Sequence, residues 1–139
     1  MTIKQLSIFI ENKGGTLINV LDLLSKAGIQ IIASTIADTK DYGIYRVLCD
    51  NPAQAYLILK EAGINAQLSD VIALSIDDVP GRAAAAVKLI SDAGVSILYL
   101  YSFLWKAKGV LVFRTDQSEK AKETIMLNKM NFLTEEDFR

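Results

Sequence analysis

Residues 77–82 read Asp77-Asp78-Val79-Pro80-Gly81-Arg82, two acids and a cation around a proline–glycine pair. Two neighbouring carboxylates raise the question of acid–base catalysis. The residues before them alternate as a strand does, and successive strand side chains point to opposite faces, so Asp77 and Asp78 do not converge on one atom. The chain contains no histidine. That excludes Ser-His-Asp and Cys-His nucleophiles. It also excludes histidine-bearing zinc sites, and the single cysteine, Cys49, cannot supply a cysteine-rich one. There is no Walker loop and no GxGxxG. Neither catalysis nor a cofactor is expected. The chemistry open to this stretch is binding. A proline and a glycine just before a helix make a sharp turn whose unpaired N–H groups and positive dipole end suit an anion.

The elements that position the turn come from a repeat. A shift of 66 residues aligns the two halves of the chain without a gap, the shift that carries Gly15 onto Gly81. It also pairs Leu23 with Leu89, Ser25 with Ser91, Gly28 with Gly94, Ile31 with Ile97, Gly43 with Gly109, Asp50 with Asp116 and Asn65 with Asn131. Glycines matching glycines mark shared punctuation of structure. The spacing therefore predicts two domains, residues 1–69 and 70–139, with no Pro/Gly-rich linker at Ser69 and Asp70.

Each copy reads the same way. Period-two alternation gives a strand, with Leu6, Ile8 and Ile10 on one face, then Ile72, Leu74 and Ile76. A helix follows. Leu17, Val20, Leu21, Leu24 and Ala27 fall at helical spacing, matched by Ala83, Ala86, Val87, Ile90 and Ala93, and Gly28 and Gly94 end the two helices. Two strands come next, in the 29–37 region and 42–49, then 95–105 and 109–115. A second helix starts at Asn51-Pro52, a good cap with proline at the first helical position. Its counterpart follows Asp116 to Glu119, which resembles a capping box. A short polar strand closes each copy, 64–69 and 131–136.

The element order β-α-β-β-α-β, twice, is the ferredoxin-like split unit. It is an α+β fold with both helices on one face of an antiparallel sheet, in strand order four, one, three, two. In that order the second strand is an edge, and IIASTIA and ILYLYSFLW carry neither the charges nor the prolines that protect edges. The expectation is that the two second strands pair, giving one eight-stranded sheet with four helices on one face. Tyr99, Tyr101, Phe103 and Trp105 share one side of the second such strand, and Leu98, Leu100, Ser102 and Leu104 the other. Only one side can lie under the helices. The other is expected to meet a second subunit, or to bind a ligand or single-stranded nucleic acid.

The repeat places Asp77–Arg82 between first strand and first helix, opposite Glu11-Asn12-Lys13-Gly14-Gly15-Thr16 in the first copy. An amino acid's carboxylate suits the helix start, and Asp78 and Asn12 can accept hydrogen bonds from its ammonium group. The competing reading is that Asp78 and Asn12 only shape a tight turn.

Composition narrows the classes. With 139 residues, 51% hydrophobic, and a net charge of -1, the chain can build a core but carries no basic stripe for a polyanion. Tyr42-Gly43-Ile44-Tyr45-Arg46 faintly echoes the signature of a ferredoxin-like RNA binder, against the acidic balance. Cys49 reads as a buried strand residue, which fits a reducing cytoplasm. The start MTIKQLSIFI has no signal-peptide pattern, and no apolar stretch approaches the length of a membrane span.

Two such units, each with a glycine ending the loop after the first strand, resemble a tandem pair of ACT domains. The family's loop pattern is roughly acid-x-Pro-Gly-x-Leu. Asp78, Pro80 and Gly81 match it, with Ala83 in place of leucine; in the first copy Gly15 and Leu17 match, with Asn12 for the acid and Gly14 for the proline. The resemblance spans nearly the whole chain. It implies a regulatory module that binds a small ligand, usually an amino acid, where the loops of one domain meet the second strand of a neighbour. The ligand residues it implies are Asn12, Lys13, Gly14, Gly15 and Thr16, and Asp78, Val79, Pro80, Gly81 and Arg82, with second-strand residues such as Ile31, Ser34 and Tyr101 completing a pocket. The implied protein is a stand-alone sensor that forms a homodimer, binds a free amino acid or similar zwitterion, and reports to an enzyme in trans. Neither nucleic acid nor membrane is an expected partner. A structural interaction module with a degenerate site is the alternative.

Overall fold

The structure, a computed structural model, describes residues 1–11, 15–38 and 42–139. The elements run β1 (Ile3–Glu11), α1 (Thr16–Lys26), β2 (Ile31–Asp38), β3 (Tyr42–Cys49), α2 (Pro52–Glu61), β4 (Ala66–Ile76), α3 (Arg82–Asp92), β5 (Tyr99–Trp105), β6 (Lys108–Arg114), α4 (Ser118–Leu127) and a 3-10 helix (Glu135–Phe138). The chain divides into two compact units. One is Lys4–Ser69 with Phe138–Arg139, the other Asp70–Asp137 with Met1–Ile3.

In the first unit the strand order is β4-β1-β3-β2, with β3 antiparallel to both β1 and β2: Leu6 faces Val47, Ile8 faces Tyr45, and Ser34 faces Val47 from the other side. The alternation of β1 puts Leu6, Ile8 and Ile10 on one face, where they bury against Val20 and Leu24 of α1 and Ala55 and Leu59 of α2. Asn51 caps α2 as its residue type predicts, accepting a hydrogen bond from the Gln54 N–H at 3.3 Å, ahead of Pro52.

The second unit repeats this with β4-β6-β5, Ile72 facing Phe113 and Leu74 facing Leu111. Ile72, Leu74, Leu111 and Phe113 bury against Ala86 and Ile90 of α3 and Ala121 and Ile125 of α4. Among the described residues, no helix is long and apolar enough to cross a membrane.

Three expectations are corrected. The strands number six, not eight, among the described residues. With no linker at Ser69 and Asp70, the last strand of one copy and the first of the next fuse into the 11-residue β4. The expected strand at 131–136 shrinks to one bridge, Leu74 to Phe132. Thr134 N–H instead donates to the Asp137 carboxylate at 2.7 Å, which turns the chain into the 3-10 helix. Among the described residues the expected pairing of the two second strands is not formed: β2 pairs with β3 and β5 with β6, each on one side only.

The capping box is the third. The residue before α4 is Gln117, and no side chain caps the helix. Gln117 turns back to the preceding loop, where its Oε1 accepts from the Ser96 N–H at 2.8 Å and its Nε2 donates to the Gly94 carbonyl at 3.0 Å. The first copy satisfies the equivalent N–H, that of Gln30, with Asp50 at 3.0 Å.

Candidate ligand-binding site

The turn after β4 is built by backbone. Val79 N–H donates to the Asp77 carbonyl at 2.9 Å, and Arg82 N–H to the Val79 carbonyl at 3.4 Å. Pro80 is pre-set for the second position of that four-residue turn, and Gly81 takes the third with φ 89° and ψ -13°. These are the values of a type II turn, whose third position demands φ > 0. A Cβ at Gly81 would meet nothing within 4 Å, so backbone conformation alone calls for glycine there. A side chain in that conformation costs ~1 kcal/mol or more.

The two acids have separate tasks. The Asp77 carboxylate lies 2.6 Å from the Lys108 Nζ, pinning the end of β4 to the start of β6. The hydrogen bond and charge of Lys108, helped by the charge of Arg82, hold the Asp77 carboxyl below its ordinary range. Asp78 makes no hydrogen bond or ion pair with another described residue. Its carboxylate therefore does not shape the turn and is open to a ligand.

The turn forms one wall of a cleft of about 430 Å³. Asp77 to Gly81 and Ala83 face Ser102, Phe103 and Leu104 of β5 and Val110 of β6. Gly109 also lines it; a Cβ there would come within 3.0 Å of the Ile76 Cγ1, so glycine keeps Ile76 from being pushed out of place. The α3 helix opens here without a side-chain cap. First-turn N–H groups have no intrahelical partner and can bond a ligand anion. The arrangement offers anion donors at the helix start, the Asp78 carboxylate for a cation, and an apolar strand for the body of a small molecule. Cavities that hold small ligands run upward from ~300 Å³.

Of the residues expected in the second copy, Asp78, Val79, Pro80 and Gly81 come together in this cleft, and Arg82 does not; it lines a separate groove with Lys108 and Lys129. In the first copy Asn12, Lys13 and Gly14 lie outside the described residues. Gly15 repeats the backbone of Gly81, at φ 92° and ψ -14°. Thr16 Oγ1 donates to the Glu11 carbonyl at 2.9 Å and lines a groove with Asn19 and Asn65. Tyr101 is not among the cleft residues, and the strand contributes Ser102, Phe103 and Leu104 instead. Strand pairing explains the shift: Tyr101 faces Val112, while Phe103 faces Val110 and Leu104 faces Gly109, next to the turn. The signal in the sequence was Gly109, a strand glycine two residues past the hairpin that marks a close approach. Ser34 of β2 accepts a hydrogen bond from the Tyr45 hydroxyl at 3.0 Å.

The family model described as an ACT domain pair matches residues 1–139. No curated protein matches the chain. Protein BT0572 from Bacteroides thetaiotaomicron is 36% identical, with a TM-score of 0.94 over 99% of this chain and 96% of that one. The regulatory subunit of aspartate kinase from Thermus thermophilus is 15% identical, with a TM-score of 0.62 over 89% of this chain and 91% of that one. The corresponding subunit from Thermus flavus is 16% identical, with a TM-score of 0.58 over 89% and 90%. These last two share the fold. With two units of the same element order and a match along its whole length, the chain belongs to the ACT domain pair family.

Proposed function

We propose that the protein is a regulatory sensor whose second unit binds an amino acid, or a similar small zwitterion, between the Asp77–Gly81 turn and β5. The carrying observation is that the turn with its unpaired Asp78 and the strand segment Ser102–Leu104 line one cleft. The ligand carboxylate bonds the N–H groups at the start of α3, and the ammonium group bonds Asp78. The first unit has a glycine of the same backbone conformation at Gly15 and is proposed to hold a second site, with Asn12, Lys13, Gly14, Gly15 and Thr16 as its ligand residues.

A second copy of the chain completes the assembly. Among the described residues both β2 and β5 are paired on one side only. Leu98, Leu100 and Leu104 are 51%, 40% and 64% exposed, which leaves an apolar margin along the open edge of β5. The ligand state of the dimer is reported to an enzyme in trans, in the cytoplasm. The fold shared with the regulatory subunit of aspartate kinase from Thermus thermophilus supports this role.

Thermal denaturation against the twenty amino acids, one at a time, tests the reading. A ligand at ~100 times its Kd adds ~2.7 kcal/mol of stability. One or two amino acids are expected to raise the Tm by several degrees. No response to any of them contradicts the amino-acid reading and favours a structural interaction module.

A further inference from the structure

The groove that takes Arg82 has a twin. In the first unit a groove of about 290 Å³ is lined by ten residues. Each of the ten, advanced by the repeat shift, lines the 260 Å³ groove of the second unit. The shared position runs along α3 from Arg82 through Ala85 and Ala86, a face separate from Ala83, which lines the cleft beside β5. Ile76 and Asp77 border both.

The twins differ in charge. Thr16, Tyr42 and Gly63 of the first groove become Arg82, Lys108 and Lys129 of the second, while the acid is kept as Glu11 and Asp77. The first groove thus carries one negative charge from its lining, and the second, with three cations and one carboxylate, a net charge of two positive. Lys108 is taken up by Asp77 at 2.6 Å. Arg82 and Lys129 have no ion-pair partner among the described residues. Lys129 stands at φ 52°, where the first copy has Gly63 at φ 76°. That is a conformation glycine adopts freely and lysine does not. The chain holds a lysine at the groove wall against its backbone preference. Asn131, conserved between the two grooves as Asn65, adds an amide, and Leu74, Ile76 and Met130 supply apolar surface.

We infer that this groove is a second ligand site, distinct from the amino-acid cleft, which binds a small metabolite carrying two negative charges on carboxylate or phosphate groups. Arg82 presents the planar fork that matches either oxyanion, and Lys129 adds a point charge. A volume of 260 Å³ suits a ligand body of a few carbons.

Amide NMR of the intact protein, titrated with sodium phosphate and with succinate against sodium chloride at matched ionic strength, tests this. Saturable shifts are expected at Arg82, Lys129 and Asn131 with at least one of the two probes and not with chloride. Saturation by phosphate alone assigns a phosphate ester, and saturation by succinate alone a dicarboxylate. Arg82→Thr with Lys129→Gly restores the first-copy residues and is expected to weaken binding at least tenfold with an otherwise native spectrum. Lys129→Gly alone is expected to raise the Tm while it weakens binding, which a purely structural lysine would not do. Unsaturable shifts spread over the surface lysines, or unchanged affinity in the double variant, overturn the inference. Shifts at Lys129 and Asn131 separate this groove from the amino-acid cleft, whose amides are those of Val79, the start of α3 and Ser102–Leu104.

Discussion

Single residues divide the turn's labour. Asp77 is spent on Lys108, Gly81 on a backbone conformation, and Asp78 on nothing within the described protein. Cys49 shows the opposite case, a reactive type made inert by its place. Burial pushes its thiol from 9.0 up to about 11, the Asn51 backbone hydrogen bond opposing and the Asp50 charge adding slightly. At pH 8 the native thiolate is scarcer than in the unfolded chain by ~100-fold, the ratio that two pKa units set. Native protein is therefore expected to react with an aromatic disulfide reagent at least 100-fold more slowly than denatured protein. The same shift fixes a pH effect. Above pH 9 the unfolded thiol loses its proton first, so stability falls as pH rises from 9.0 to about 11. Denaturant midpoints across that window check it: replacement by alanine is expected to remove this component of the slope. A native thiol that reacts as fast as the unfolded one contradicts the burial argument.

At the scale of elements, the hairpin between β5 and β6 is costly. Trp105 faces Lys108 across a two-residue loop, and both loop residues, Lys106 and Ala107, have positive φ, 50° and 65°. Such I′-type loops favour Asn-Gly, and each left-handed non-glycine residue costs ~1 kcal/mol. Lys106→Asn with Ala107→Gly is expected to stabilise the protein by ~1–2 kcal/mol and raise its Tm by ~3–6 °C. A lower Tm would mean that Lys106, 5.8 Å from the Trp105 ring centroid, contributes more than the strain costs.

Much of this level was legible in the sequence. Period-two and period-3.6 patterns gave strands and helices because each element buries one face, as Leu6, Ile8 and Ile10 do against Val20 and Leu24. The helix stops were legible because Gly28 and Gly94 sit at positive φ. What escaped were local contests between hydrogen bonds. Asp116 and Glu119 looked like a capping box, and Gln117 took the cap position while bonding the Ser96 and Gly94 backbone. The 131–136 stretch looked like a strand, and the Thr134–Asp137 bonds turned it. In the site, the turn was legible from proline and glycine. The strand residues beside it were not legible, because hairpin register, rather than composition, decides that Phe103 and Leu104 lie next to the turn.

At the scale of the molecule, the edge argument from the sequence correctly identified β2 and β5 as outer strands but assigned them to each other. Among the described residues β2 and β5 are each paired on one side only, so the protection they need is expected from a second chain. Leu98→Lys with Leu104→Lys places charge on that margin and is expected to weaken self-association at least tenfold in sedimentation experiments, with the fold intact. A wild-type protein that sediments as a monomer at all concentrations contradicts this.

The most direct test of the central claim is an amide NMR map of the protein with an equimolar mixture of the twenty amino acids, set beside the same map for Asp78→Ala. Saturable shifts at Val79, Gly81 and Ser102–Leu104 in the wild type, lost in a natively folded Asp78→Ala, are the predicted result. Shifts confined to other surfaces, or a response that Asp78→Ala leaves unchanged, would contradict it.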